Sequence, residues 1–223
     1  DKVKKVQKDF EATHVRPERL MKTLFTDEAY VKANVDEARL MRRLFDLACN
    51  MQSHDTDMQL YSLFTDEECY DLWSCNNLYW YLTHACSPVT DGLMPYREAD
   101  LLRNILDRAD AALKEGKKQA TLRFGHESCL LPLVALLELN HYGESYPDVE
   151  KLSEQWRAYD IFPMASNVQF VFFHKKGSND VLVKVLLNEK ETKLPVKTDV
   201  APYYHWKDVE SYYREKLDKY QHI

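Results

Sequence analysis

Glycine is scarce in this sequence, five residues in 223, and with 45% hydrophobic and 30% charged residues the composition excludes a disordered or fibrous chain. It favours a helix-rich globule large enough for one or two domains. Apolar runs are short: none approaches the roughly 20 residues of a membrane span, so no membrane partner is expected. Basic residues are outweighed, 30 Lys and Arg against 36 Asp and Glu, and the net charge of −6 argues against general affinity for nucleic acid. A polyanionic ligand would have to be drawn in by a local cluster, either Arg39, Arg42 and Arg43 or Lys2, Lys4, Lys5 and Lys8, although such runs are usually solvated helix faces. Cysteine gives no metal signature. Cys49, Cys69, Cys75, Cys86 and Cys129 form no ligand-like pair, and the odd count leaves at least one thiol unpaired within the chain. Internal repeats and low-complexity segments are absent.

What is present reads first as helix. Residues 1 to 34 carry start signals at Pro17 and at Thr26-Asp27-Glu28, which predict short helices. Ala38, Met41, Phe45 and Ala48 recur at helical spacing and predict a helix over 35–52. Thr65 and Glu68 form a capping box that opens an aromatic helix running to about His84, its Tyr70, Trp73, Tyr79, Trp80 and Tyr81 expected in the core. A further helix is predicted from Pro95 to Lys114 with Gly116 as its stop. Later the pattern changes. A buried strand is predicted over 121–124, a short helix over 149–159, a hairpin of strands 168–174 and 181–187 buried on both faces, a short strand over 192–196, and a final helix over 206–220. Helices first and strands late predict an α/β chain: a mainly helical region, 1–116, then the closing strands and helices of a mixed sheet, 117–223.

The stretch Thr121 to Leu136, TLRFGHESCLLPLVAL, carries the chemistry. An apolar run ends in Gly125-His126-Glu127-Ser128 and passes into a leucine-rich helix, and ligands of α/β sheets gather where a strand gives way to a helix N-terminus that attracts anions. A phosphate fits that description. Phe124-Gly125-His126-Glu127 followed by Leu130-Leu131-Pro132-Leu133 resembles the late motif of the histidine acid phosphatases, within them the multiple inositol polyphosphate phosphatase (phytase) branch. The resemblance continues through Leu63-Phe64-Thr65-Asp66-Glu67-Glu68, Phe162-Pro163-Met164-Ala165-Ser166-Asn167, Phe172-Phe173-His174 and Leu186-Leu187-Asn188-Glu189-Lys190. It covers the last two thirds of the chain. The first sixty residues resemble the family only in being helical.

The resemblance implies the phosphoglycerate mutase-like histidine phosphatase fold, present in part, and hydrolysis of phosphomonoesters, inositol polyphosphates among them, through a phosphohistidine intermediate. His126 would donate to a phosphate oxygen and Glu127 would protonate the leaving alkoxide. No cofactor and no metal are implied. An extracytoplasmic, periplasmic or secreted, location is. Two departures matter. None of the eight histidines sits in the Arg-His-Gly-x-Arg-x-Pro motif that supplies the family's nucleophile, so the chain is expected to be a C-terminal portion, inactive alone and prone to associate with itself or with the nucleophile-bearing part. The inositol polyphosphate branch places its acid one residue later, as His-Ala-Glu, where this chain has Ser128, read here as a helix cap. The alternative is a non-catalytic phosphate-binding or interaction module on the same scaffold.

Other clusters carry bland readings beside their functional ones. Arg42 and Arg43 are candidate clamps for distal phosphates, or partners of Asp36, Glu37 or Asp46 on the same helix. His54 with Asp55 and Asp57 reads as a polar loop, since a metal would need more ligands. Arg123 points to the face opposite Leu122 and Phe124. Cys129 is expected to be a small buried thiol.

Overall fold

In the computed structural model, which describes residues 1–220, helices fill the first half: α1 (Lys2–His14), α2 (Glu18–Leu24), α3 (Glu28–Asn34), α4 (Glu37–Asn50), α5 (Asp66–His84) and α6 (Ala99–Glu115). Their starts follow local chemistry. Asp27 and Asp36 accept from the backbone N–H of Tyr30 (2.9 Å) and Arg39 (3.0 Å), satisfying donors that the first turns of α3 and α4 leave open. The capping box closes reciprocally, Thr65 N donating to Glu68 Oε2 at 2.9 Å and Glu68 N donating to Thr65 Oγ1 at 3.2 Å. A 3-10 turn, Met94–Glu98, begins with Pro95 near its start and leads into α6, which ends at Gly116 in the left-handed region, φ 65°.

Compactness groups the residues into two units divided inside α5, one spanning Asp1–Tyr79 and one starting at Trp80. The boundary predicted at 116 divides the chain by element type instead. The first unit is all helical and buries Leu20, Met41 and Leu78 almost completely. Arg19 ties α2 to α5 by donating through Nε to Glu68 Oε1 (2.7 Å) and through Nη2 to Glu68 Oε2 and to the Leu63 carbonyl.

The second unit holds the sheet. Strand β1 (Val168–His174) pairs antiparallel with β2 (Val181–Leu187), from Val168 opposite Leu187 to His174 opposite Val181. Strands β3 (Lys190–Glu191) and β4 (Tyr204–His205) both pair with β2. The hairpin and the final helix, α10 (Trp206–Tyr220), fall where the sequence predicts them, while the single short helix predicted over 149–159 is instead two, α8 (Leu152–Gln155) and α9 (Ala158–Ile161), separated by extended backbone at Trp156 and Arg157. Burial on both faces does not hold. Along β2, Val183, Val185 and Leu187 are buried while their neighbours are half-buried, the alternation of an antiparallel sheet covered on one side. The covering element is α10, with Val209, Tyr213 and Leu217 inward and Trp206 edge-on to Phe172 at 4.9 Å.

Two predicted strands are corrected. Past Thr192, whose N–H still donates to the Val185 carbonyl of β2, residues 193–196 leave the sheet because backbone groups are spent elsewhere: Lys193 N donates to Asn140 Oδ1, Asn140 N to the Lys193 carbonyl, and Leu194 N to the Tyr204 hydroxyl. Residues 121–124 form no strand. Leu122 and Phe124 stand 75% and 93% exposed, and none of the described strands pairs with them, so the local propensity that reads as a strand has no ladder to join. Among the described residues no helix is long and apolar enough to cross a membrane.

Candidate functional site

The helix that follows this extended segment, α7 (Glu127–Leu136), is held from behind. Its residues from Leu131 to Leu136 are all buried. Its C-terminal carbonyls, which have no partner within the helix, are taken up by α10: Lys216 Nζ donates to the Leu136 carbonyl at 2.7 Å and Tyr213 Oη to the Leu137 carbonyl at 2.7 Å. Lys216 also pairs with Glu138 at 3.0 Å, whose carboxylate accepts from Tyr212 Oη. Burial raises Tyr212 to a proton affinity far above an ordinary phenol, and that hydrogen bond to Glu138 raises it further. A cation at a helix C-terminus complements the dipole. The anchored C-terminal end thus leaves the other end of α7 facing out.

At that end His126 is the N-cap, in extended backbone (φ −111°, ψ 164°), and its carbonyl accepts from Cys129 N (3.0 Å) and Leu130 N (3.1 Å). No side chain caps the helix, and the backbone N–H groups of Glu127 and Ser128 have no protein acceptor among the described residues. Those two donors and the positive end of the dipole point the same way, which is how a helix start holds an anion. His126, Glu127, Ser128 and Cys129 are all exposed. Ser128, expected to cap, sits instead in the first turn. Cys129, expected to be buried, is exposed, lying in the first turn of the helix two residues before its buried part begins at Leu131. Pro132 falls inside the helix, and without an N–H it cannot take the Ser128 carbonyl.

The turn Met94–Glu98 lies along α7 and brings residues that the sequence does not single out. It is pinned by Tyr96, stacked on Tyr220 with ring centroids 4.2 Å apart and lying beneath Lys216. Glu98 accepts a hydrogen bond from the Cys129 thiol in the first turn of α7; burial still holds the Glu98 carboxyl above the usual range, against the pull of Arg97 and of that bond. Arg97 is exposed and forms no ion pair among the described residues. Behind them His84, at the end of α5, is 7% exposed and tilts against Trp80. Burial pushes its pKa down, Arg97 adds to that, and Glu127 opposes it. The charges of Arg97 and Glu127 thus act in opposite directions on one buried imidazole.

The remaining candidates lie apart in sequence and have partners. Arg42 Nη1 donates to Glu11 Oε2 at 2.9 Å, an ion pair to α1 and not to the carboxylates on its own helix. Arg43 pairs with Asp46 at 3.4 Å. Both belong to the first unit, His126 and Glu127 to the second. Arg123 donates to Asn104 Oδ1 at 2.8 Å and so ties the extended segment to α6. His54, Asp55 and Asp57 form an exposed loop, and among the described residues no group of three or more His, Cys, Asp or Glu could hold a metal ion.

The profile of the histidine phosphatase superfamily (branch 2) matches residues 1–188. The chain belongs to this family. The match extends over the first sixty residues, where the sequence reading finds a likeness only in helix content. Multiple inositol polyphosphate phosphatase 1 of Homo sapiens is 28% identical over 134 residues, 54% of this chain and 27% of its own length. Among solved structures, the multiple inositol polyphosphate phosphatase of Bifidobacterium longum in complex with phosphate superposes with a TM-score of 0.68 at 21% identity, covering 81% of this chain and 40% of that one. Its complex with inositol hexasulfate gives 0.63 at 22%, covering 79% and 38%. These similarities show the histidine phosphatase fold, and the chain spans less than half the length of each relative.

Proposed function

We propose that this chain supplies the leaving-group side of a histidine phosphatase site that hydrolyses phosphomonoesters, with inositol polyphosphates as the substrate class. The observation that carries the reading is the open start of α7, where two backbone donors without a protein acceptor follow exposed His126, while the charges of Arg97 and Glu127 both act on buried His84. His126 donates to a non-bridging oxygen, Arg97 offers its planar fork to a phosphate, and Glu127 delivers the proton to the departing alkoxide. Phosphoryl transfer asks for little beyond such positioning and charge, plus a nucleophile. The nucleophile is the part not found in these 223 residues, where no histidine is flanked by arginine and glycine. A relative solved with phosphate and another form solved with inositol hexasulfate support the ligand class.

The test uses the 223-residue chain. It binds inositol hexakisphosphate in calorimetry, His126→Ala weakens that binding about tenfold or more, the loss of one charge-assisted hydrogen bond, and no phosphate is released. Binding unaffected by His126→Ala overturns the site. Release that depends on His126 overturns the need for an external nucleophile and leaves the site standing. The non-catalytic alternative parts from this reading when a nucleophile-bearing partner polypeptide is added: turnover that falls with Glu127→Gln is the enzyme's signature, and continued inactivity is the module's.

A further inference from the structure

His205, in β4, places each ring nitrogen against a carboxylate. Nδ1 lies 3.1 and 3.0 Å from the two carboxylate oxygens of Asp180, and Nε2 lies 2.9 Å from Asp199 Oδ1. A neutral imidazole has one N–H, so one of its nitrogens would present a lone pair to a carboxylate oxygen at hydrogen-bond distance. Only the imidazolium donates on both sides. Asp180 closes the turn that joins β1 to β2, and Asp199 belongs to the loop that leads into β4 and α10. Each segment is already shaped internally. Asp180 N donates to Ser178 Oγ and His174 Nε2 lies 2.7 Å from the Ser178 carbonyl; Thr198 Oγ1 donates to the Tyr203 carbonyl at 2.7 Å. The ring therefore bridges two preformed loops.

We propose that His205 is a pH-sensitive clasp, closed as an imidazolium between Asp180 and Asp199 and opened when the ring loses its proton, which releases the β1–β2 turn from the loop entering α10. The charges that act on the ring are those two carboxylates. The neighbouring charges have other places: Lys184 on β2 is held by Glu191 at 3.0 Å, His174 ends β1, Lys175 and Lys176 belong to the turn itself, and Lys207 and Asp208 lie in the first turn of α10. Asp180 first and Asp199 second hold the imidazole above its ordinary value. A raised folded-state value means the clasp is fully made below the ordinary histidine range and is lost as pH climbs through the raised one. It does not rest on the phosphatase reading.

The test follows the His205 Cε1 proton by NMR in the full chain and in Asp180→Asn, Asp199→Asn and the double variant, near-isosteric changes at exposed side chains that leave the core untouched. The wild-type midpoint lies above about 6.5, each single variant lowers it, and the double variant returns it to about 6.5. Trypsin cleavage at Lys175, Lys176 and Lys197, divided at each pH by that of His205→Gln, reports the mechanical consequence. The wild type is protected relative to the variant at about pH 6 and is cut at the variant's rate at about pH 9, with the same midpoint as the NMR titration. A wild-type midpoint at or below the ordinary value, an unchanged midpoint in the double variant, or a cleavage ratio flat with pH would each overturn the clasp.

Discussion

Glu68→Gln is the sharpest probe of how the first unit is held. The Glu68 carboxylate takes both arms of the Arg19 guanidinium and the Thr65 backbone N–H, so one side chain joins α2, the loop before α5 and the start of α5 itself. Glutamine keeps the size and still serves a capping box, so the substitution removes mainly the charge. The Glu68 side chain is 11% exposed and that of Arg19 is 45%. An exposed ion pair contributes about 0–1 kcal/mol and the loss of one partner of a fully buried pair costs about 3–5 kcal/mol. With one member buried and the other half in water, Glu68→Gln should cost about 1–2 kcal/mol. Glu68→Ala should cost about 1 kcal/mol more, because the cap goes with the charge.

The pH dependence gives the reasoning a second edge. Arg19, and more weakly the Thr65 N–H, hold the Glu68 carboxyl below its ordinary value against the opposing effect of burial. A depressed folded-state value contributes stability that is present above the unfolded value, about 4.3, and is lost as pH falls through the folded one. The difference between wild type and Glu68→Gln should therefore be constant at neutral pH and shrink in acid. Urea unfolding by circular dichroism, with hydrogen exchange over α2 and residues 66–79 of α5 to report the first unit alone, measures both. Wild-type stability for Glu68→Gln at pH 7, or a difference that survives undiminished in strong acid, would refute the ion pair as the source.

Two further experiments test a turn of the second unit and the burial of thiols in both. A Cβ at Gly143 would lie 2.9 Å from Glu138 Cα and 2.6 Å from its Cγ, and Glu138 is itself fixed at φ 53° and bound by Tyr212 and Lys216. Gly143→Ala should cost about 1–3 kcal/mol in thermal unfolding, and an unchanged midpoint would show that the turn gives way. Thiol reactivity tests burial directly: at mildly alkaline pH iodoacetamide should label exposed Cys129 first, while burial pushes Cys75 up to about 12 and Cys86 to about 11 and keeps both unlabelled until urea is added. Equal rates for Cys75 and Cys129 would contradict the packing of α5.

Local signals carried far because the chain spends its special residues at element ends. Thr65 with Glu68, Pro95 and Gly116 mark boundaries that the structure keeps, and the alternation in 168–174 and 181–187 fixes a hairpin whose partners are neighbours in sequence. Where the outcome depends on distant packing, composition misleads. The aromatics of α5 follow no single stripe: Tyr81 is fully buried, while Tyr70 and Tyr79 are about half exposed. Residues 121–124 have a strand's composition, yet a strand exists only when another backbone accepts its hydrogen bonds. Periodicity within four residues says nothing about whether such a backbone is at hand.

The candidate site divides along the same line. His126 and Glu127 are legible because a helix start is written in consecutive residues, an extended N-cap followed by an apolar run. Arg97 is not, since it lies twenty-nine residues before His126 in a 3-10 turn with no motif around it, a turn held by Tyr96 stacked on Tyr220 and by Glu98 hydrogen-bonded to Cys129. Buried His84 links the two, since Arg97 and Glu127 act in opposite directions on its imidazole. Sequence could have pointed to this only through a question of charge balance. A helix start that is to hold a polyanion needs a cation that no carboxylate has claimed, and among the described residues Arg42 and Arg43 are paired with Glu11 and Asp46, whereas Arg97 and Arg123, which meets the Asn104 amide, have no carboxylate partner.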